Sequence, residues 1–154
     1  MVLWHGSNMA VESPKVVQTK YAKDFGWGFY TTRNFEQAKK WAYRKAALEG
    51  GSPIISKYEF LPSNDLDKLE FYDTDSRWLH FIAQCRQGGT HAHDVVAGPM
   101  ADDQVWNLVE DFMSGDISEE EFLVAAKFKH PTNQISFHTE KAFCALEYLG
   151  YEEV

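Results

Sequence analysis

Between Phe25 and Phe29 aromatic residues and glycines alternate, Phe25-Gly26-Trp27-Gly28-Phe29, and the run continues into Tyr30-Thr31-Thr32. In an extended strand successive side chains point to opposite faces, so this segment would carry rings on one face and nothing on the other. A bare glycine face lets a ligand or a neighbouring backbone come close. A glycine-punctuated strand whose rings simply fill the core satisfies the same pattern. Upstream, Trp4-His5-Gly6-Ser7 sets glycine beside a histidine and a hydroxyl. Together the two segments point to a cleft built around a flat polar ligand.

The rest of the chain bounds what such a cleft can be. Its 154 residues are the size of one domain, residues 1–154, with enough chain for a self-sufficient core. Five Trp and eleven Phe supply either a large core or stacking sites. The formal net charge of −8 argues against broad, backbone-driven nucleic-acid binding, which needs clustered Lys and Arg. Lys20, Lys23 and Arg33 make either a local basic entrance beside the cleft or an ordinary solvated surface. Cys85 and Cys144 are the only cysteines. Two thiols without a disulfide framework or zinc spacing fit a reducing cytoplasm. No basic-plus-apolar leader and no apolar run of about 18 residues is present, so the expected location is cytoplasmic.

Strand and helix signals are mixed without repeat or regular βαβ alternation. Val2–His5 reads as an opening strand and residues 8–24 as a polar loop. Asn34 caps a helix over about 35–48, with Gln37 three residues on and Gly50-Gly51 as its stop. Residues 54–60 form a strand that Pro62-Ser63-Asn64 ends. Asp75 or Ser76 starts a helix to Cys85, and Asp94–Gly98 is a short apolar strand. Helices follow at 104–113 and 118–127, the second capped by Ser118 with Glu121. Gln134–Phe137 is a last strand, and from Thr139 a helix carries Phe143, Leu146 and Leu149. This order predicts an α+β fold, helices packed on a mostly antiparallel or split sheet.

His5-Gly6-Ser7 and Gly26-Trp27-Gly28-Phe29-Tyr30 resemble the nicotinamide-pocket motifs of the ADP-ribosyltransferase superfamily, in the branch of diphtheria toxin and the poly(ADP-ribose) polymerases. There His-Gly-Ser/Thr lies on the first strand, Gly-x-Gly-x-Tyr on the second, and a Glu near the start of a later strand. The counterpart of that Glu here is Gln134, in Gln134-Ile135-Ser136-Phe137, a departure from the usual residue. Over its whole length, including Asp94 to Asp103, the chain looks closest to a family of small bacterial proteins, domain-of-unknown-function family 3990. The resemblance implies a split β-sandwich, two small sheets face to face, with helices around an NAD cleft.

It also implies a reaction and roles. NAD would be the co-substrate, and ADP-ribose would pass to a macromolecular acceptor with release of nicotinamide, through an oxocarbenium-like transition state. The Gly6 backbone would pair with the carboxamide, Ser7 would add a hydroxyl, and His5 would bond a ribose hydroxyl. Tyr30 would stack on the nicotinamide ring, helped by Phe29 or Trp27, with Gly26, Gly28 and Thr31 completing the binding segment. The carbonyl of Gln134 can still accept a ribose hydroxyl, but the residue carries no charge and cannot act as a base. A single transfer is therefore expected rather than a polymer. Asp102, Asp103 or Glu140 would have to supply any missing negative charge. The acceptor would be chosen by loops such as 8–24 and 98–107.

One context for that activity is the toxin of a toxin–antitoxin pair, with a small antitoxin protein as partner. Two other readings remain: a non-catalytic NAD or ADP-ribose binding module that has lost the Glu, and an interaction protein whose aromatic segments are core. No metal is expected, since His91-x-His93-Asp94 lacks a second ligand pair and reads as loop. No Gly-x-Ser-x-Gly elbow and no Gly-rich phosphate loop is present.

Overall fold

The computed structural model describes the whole chain except residue 130. The elements run β1 (Val2–Ser7), β2 (Phe29–Thr31), α1 (Phe35–Glu49), β3 (Ile54–Phe60), β4 (Lys68–Glu70), α2 (Ser76–Arg86), β5 (Val95–Pro99), α3 (Asp103–Met113), α4 (Glu119–Ala126), β6 (Asn133–Phe137), α5 (Glu140–Phe143) and β7 (Leu146–Glu153). The described residues form a mixed α+β fold with two sheets, ordered β1-β3-β7 and β2-β6-β5-β4. All pairings are antiparallel except β4 with β5.

Local chemistry sets most boundaries. The Asn34 side chain accepts the Gln37 N–H at the start of α1, and Gly50, at φ 82°, returns its N–H to Ala46 at the end. Asp75 caps α2 through Trp78 N–H, and Ser118 with Glu121 forms a complete capping box on α4.

Alternation along the strands divides the core. Leu3 of β1 and Tyr58 and Phe60 of β3 share one apolar cluster with Phe29, Val95, Ile135 and Phe137 of the other sheet. The sheets therefore pack on one another. The opposite face of the four-stranded sheet, with Tyr30 and Val96, lies against Trp78, Leu79, Val105, Val109 and Phe122 of α2, α3 and α4. The outer face of the three-stranded sheet carries α1, through Ile55, Ala38 and Ala42. A Cβ built on Gly6 would lie 1.9 Å from the Ala38 carbonyl oxygen, so glycine is what lets α1 rest on β1.

Two expectations are overturned. Phe25–Gly28 is not extended: the chain turns at Gly26, at φ 83°, where its N–H bonds Lys23 O, and β2 begins only at Phe29. The glycine face is therefore not a bare strand face. The helix expected from Thr139 stops at Phe143, and Leu146–Glu153 is a strand paired with β3. The three-residue spacing of Phe143, Leu146 and Leu149 imitates a helix. Leu146-Glu147-Tyr148 in fact alternates onto the inter-sheet cluster, and exposed Leu149 is the extra residue of a bulge between Tyr148 and Gly150. The short strand β4 carried no signal of its own and exists through its pairing with β5.

Candidate functional site

The two sheets meet at one bridge. Trp4 and Thr32 exchange N–H···O=C bonds of 2.9 Å in both directions, joining edge strand β1 to edge strand β2. A ladder continued from this bridge would bring Gly6 opposite Tyr30, but that pair does not form and the two edges part. Backbone groups alternate sides along a strand, so Gly6 directs its N–H and C=O as Trp4 does, away from β3 and into the opening. Tyr30 stands in the same relation to Thr32 and directs its carbonyl into the opening from the other wall. The result is a wedge with a donor and an acceptor from one glycine on one side.

His5 props this wedge open. Its Nδ1 lies 2.7 Å from Tyr30 O, and a carbonyl accepts only from a donor, so Nδ1 carries the proton and Nε2 is left as an acceptor. Burial holds the pKa down to about 4, against the Tyr30 carbonyl bond, with the Lys23 and Lys45 charges adding to the lowering. The imidazole is therefore neutral at pH 7, and its ring lies 4.3 Å from that of Phe29. Buried Ser7 ends β1 on the same face as His5, its hydroxyl 3.4 Å from Asn8 Oδ1.

Tyr30 is a core residue whose carbonyl faces the wedge. Its hydroxyl accepts the Phe25 N–H at 3.0 Å and donates to Gly26 O at 2.5 Å, and burial pushes its pKa well up. The Lys23 ammonium lies over its ring, 5.0 Å from the centroid. The other residues of the aromatic segment are engaged by protein. Thr31 donates to Ile135 O at 2.9 Å, Phe29 is inter-sheet core, and a Cβ on Gly28 would lie 2.7 Å from the His138 ring.

Gln134 enters from β6, buried, and donates its amide N–H to Asp24 Oδ2 at 3.0 Å. Asp24, 4% exposed, also accepts the Ala101 N–H on Oδ2 and two bonds from Arg86 on Oδ1, one of 2.9 Å from Nε and one from Nη2. The Arg86 guanidinium covers the Trp106 ring at 4.1 Å. The carboxylate beside Gln134 is thus Asp24. Asp102 instead caps α3, accepting from Gln104 and Val105, with Asp103 exposed in the first turn, and Glu140 is exposed on α5.

Asp24, Arg86 and His138 carry no motif and are found only by long-range pairing. His138 donates from Nδ1 to Trp27 O at 2.9 Å and accepts from buried Ser136 at Nε2, 2.7 Å away. His91 donates from Nε2 to Phe25 O at 2.9 Å while Nδ1 accepts the His93 N–H, so both ring nitrogens are engaged. Burial lowers the pKa of both, that of His138 to about 4. With His5 on Tyr30, three histidines bind carbonyls of one short segment. Among the described residues no group of three His, Cys, Asp or Glu side chains could hold a metal ion.

The basic residues separate. Lys20 and Arg33 are exposed, and of the three only Lys23 reaches the wedge. A cavity of about 710 Å³ does not touch His5, Gly6 or Tyr30. It lies beyond residues 20–27, lined by Lys20, Tyr21, Trp27, Arg86 and Trp106 among others. The wedge is the better candidate for chemistry because the free N–H and C=O of Gly6 lie beside the His5 acceptor there, whereas the cavity is wide and its guanidinium is already paired. The thiol of Cys85 is buried and pushed up to about 11 by that burial, and Cys144 is exposed.

A family model described as "Protein of unknown function (DUF3990)" matches residues 1–148, nearly the entire sequence, and the chain belongs to that family. No curated protein matches it.

Proposed function

We propose that this member of the DUF3990 family is an NAD-dependent mono-ADP-ribosyltransferase with the split sandwich of that superfamily. The observation that carries the reading is the wedge between Gly6 and Tyr30. One glycine offers an N–H and a C=O in the spacing of a primary carboxamide, and only a residue without a side chain can also sit against α1 there. Neutral His5 offers Nε2 to a ribose hydroxyl, and Tyr30 offers a ring face.

In the reaction the bond between ribose C1′ and the nicotinamide nitrogen breaks, and its electron pair leaves with neutral nicotinamide. The acceptor's nucleophilic atom then bonds C1′ and loses its proton. The chain's task is to hold carboxamide and ribose while positive charge grows on the ring. Macromolecular acceptors would approach from the side of residues 20–27, where the cavity is lined by Lys20, Tyr21 and Ala22 of one loop expected to choose them and by Trp106, which lies in α3. In a cell such an activity suits a toxin held in check by a small antitoxin; toxicity on expression, relieved by His5→Ala, would support that role.

A second reading has its own observation. The Gln134 amide N–H is bound to the Asp24 carboxylate, which Arg86 and the Ala101 N–H also hold, so this pair offers no free carboxylate to the wedge. That arrangement suits a non-catalytic NAD or ADP-ribose binding module.

The deciding experiment is calorimetric titration of NAD into wild type and His5→Ala, with nicotinamide release followed in the same samples. The transferase reading expects micromolar to millimolar binding, weakened roughly ten-fold by loss of one hydrogen bond, and release of nicotinamide. Binding without release selects the module, and no binding ends both readings. Gly6 is unsuitable as a probe, because any side chain there meets the backbone of α1.

A further inference from the structure

Lys23 is an exposed residue whose ammonium turns back onto Tyr30, 5.0 Å from the ring centroid. The Tyr30 ring also has Phe25 near-parallel to it at 6.4 Å and the His138 ring edge-on at 6.4 Å. Phe25 is fixed in the core, so the place over the ring held by the movable Lys23 side chain is the one a ligand ring could take. Lys23 is also short of negative neighbours. Its adjacent carboxylate, Asp24, is bound by Arg86, Gln134 and the Ala101 N–H, and among the described residues no carboxylate lies within ion-pair distance of Lys23. Charges facing it are Lys45 and Arg86, which oppose it, and Asp24 and Glu49, which favour it; desolvation is the larger influence and lowers its pKa. Lys45 is itself paired with Glu49 at 2.6 Å.

A cation over an aromatic face is held by the ring's quadrupole, and one face holds one cation at a time. Resting on the reading of the wedge given above, we infer that Lys23 is a charge filter on Tyr30: it occupies the place of a cationic ring, so the site discriminates against positively charged rings and admits one only when Lys23 swings out. A neutral ring with the same carboxamide can lie beside the displaced ammonium without repulsion. The positive pyridinium of NAD must both displace Lys23 and tolerate its charge nearby, whereas released nicotinamide must displace it but meets no repulsion from it.

The test uses two probes with the same carboxamide, neutral nicotinamide and the 1-methylnicotinamide cation, titrated by NMR into wild type, Lys23→Met and Lys23→Ala. Lys23→Met removes the charge and keeps the bulk; Lys23→Ala removes both. The filter predicts that both variants raise the affinity for the cation relative to the neutral probe by about two- to five-fold, the scale of one charge–charge contact at an exposed site. A gain confined to Lys23→Ala and equal for both probes would make Lys23 a plain cover and overturn the filter. An unchanged ratio, with nicotinamide binding that His5→Ala weakens, would overturn the filter and leave the NAD reading standing. If neither probe nor NAD binds any of the proteins, both inferences fall together.

Discussion

The wedge at β1 and β2 and the polar knot around Asp24 lie on the two sides of Tyr30, and they use their polar groups in opposite ways. In the knot every strong group has a partner. Asp24 receives Arg86, Gln134 and Ala101, and these contacts tie the loop at 22–26 to α2, to β6 and to the turn before α3. At the wedge a strand edge stops pairing, and Gly6 presents an N–H and a C=O to an opening beside a histidine acceptor. A satisfied buried network rigidifies, because each member would be costly to leave unpaired. An unsatisfied edge is where a ligand gains most. The comparison teaches that the Gln134 amide, despite its place at the start of β6, is held by the knot, while on the reading proposed above Gly6 and His5 are the groups left to meet a ligand.

The largest effect should come from unbalancing the knot. Arg86→Met leaves the Asp24 carboxylate buried with only Gln134 and one backbone N–H, which should cost about 3–5 kcal/mol. For a domain of this size that lowers the melting temperature by roughly 10 °C or more. A melt within 2–3 °C of wild type would mean that the knot is not tight and would remove the contrast with the wedge.

Next in size is acid. His5 and His138 are held near pKa 4 in the folded protein, against about 6.5 unfolded. Between those values the unfolded chain binds more protons, so stability rises with pH, is complete above about 6.5, and is lost as pH falls toward 4. Each histidine contributes up to about 3 kcal/mol across that window. Denaturant titrations from pH 7 to 4.5 should show this fall for wild type, and a shallower one for His138→Gln. Equal slopes would show that His138 is not held neutral against Trp27 and Ser136.

Legibility divided along the same line. Elements whose cause is local were readable: Asn34, Asp75 or Ser76, and Ser118 announced α1, α2 and α4, and the apolar runs at 54–60 and 94–98 announced β3 and β5. The wedge motif was visible too, because a glycine between His5 and Ser7 is conspicuous in sequence. The knot was not. Asp24 and Gln134 are 110 positions apart, and nothing local distinguishes Asp24 from any polar loop residue. The turn at Gly26 was hidden because alternating rings satisfy a strand pattern, while the histidines that hold its carbonyls come from residues 91 and 138. β7 was hidden because its three-residue apolar spacing fits a helix unless the partner strand β3 is known.

The smallest effect is the most pointed, since it asks why position 134 holds Gln. Only a donor fits against Asp24 Oδ2, and a carboxylate there would face another carboxylate at about 3 Å. Gln134→Glu should therefore take up a proton, its pKa raised by Asp24 and by burial, and keep a hydrogen bond in its protonated form. A group with a raised folded pKa contributes its stability below its unfolded value of about 4.3 and loses it as pH rises through the folded value. The variant should melt close to wild type near pH 5 and fall behind by about 1–3 kcal/mol at pH 8, the scale of a broken buried hydrogen bond. Asp24→Asn combined with Gln134→Glu removes the facing carboxylate and offers the new carboxylate at position 134 an amide donor in its place, and should recover part of that loss, the Ala101 N–H then losing its acceptor. A Gln134→Glu protein as stable as wild type at pH 8 would show that Asp24 does not dictate the glutamine, and position 134 would then have to be explained from the wedge side.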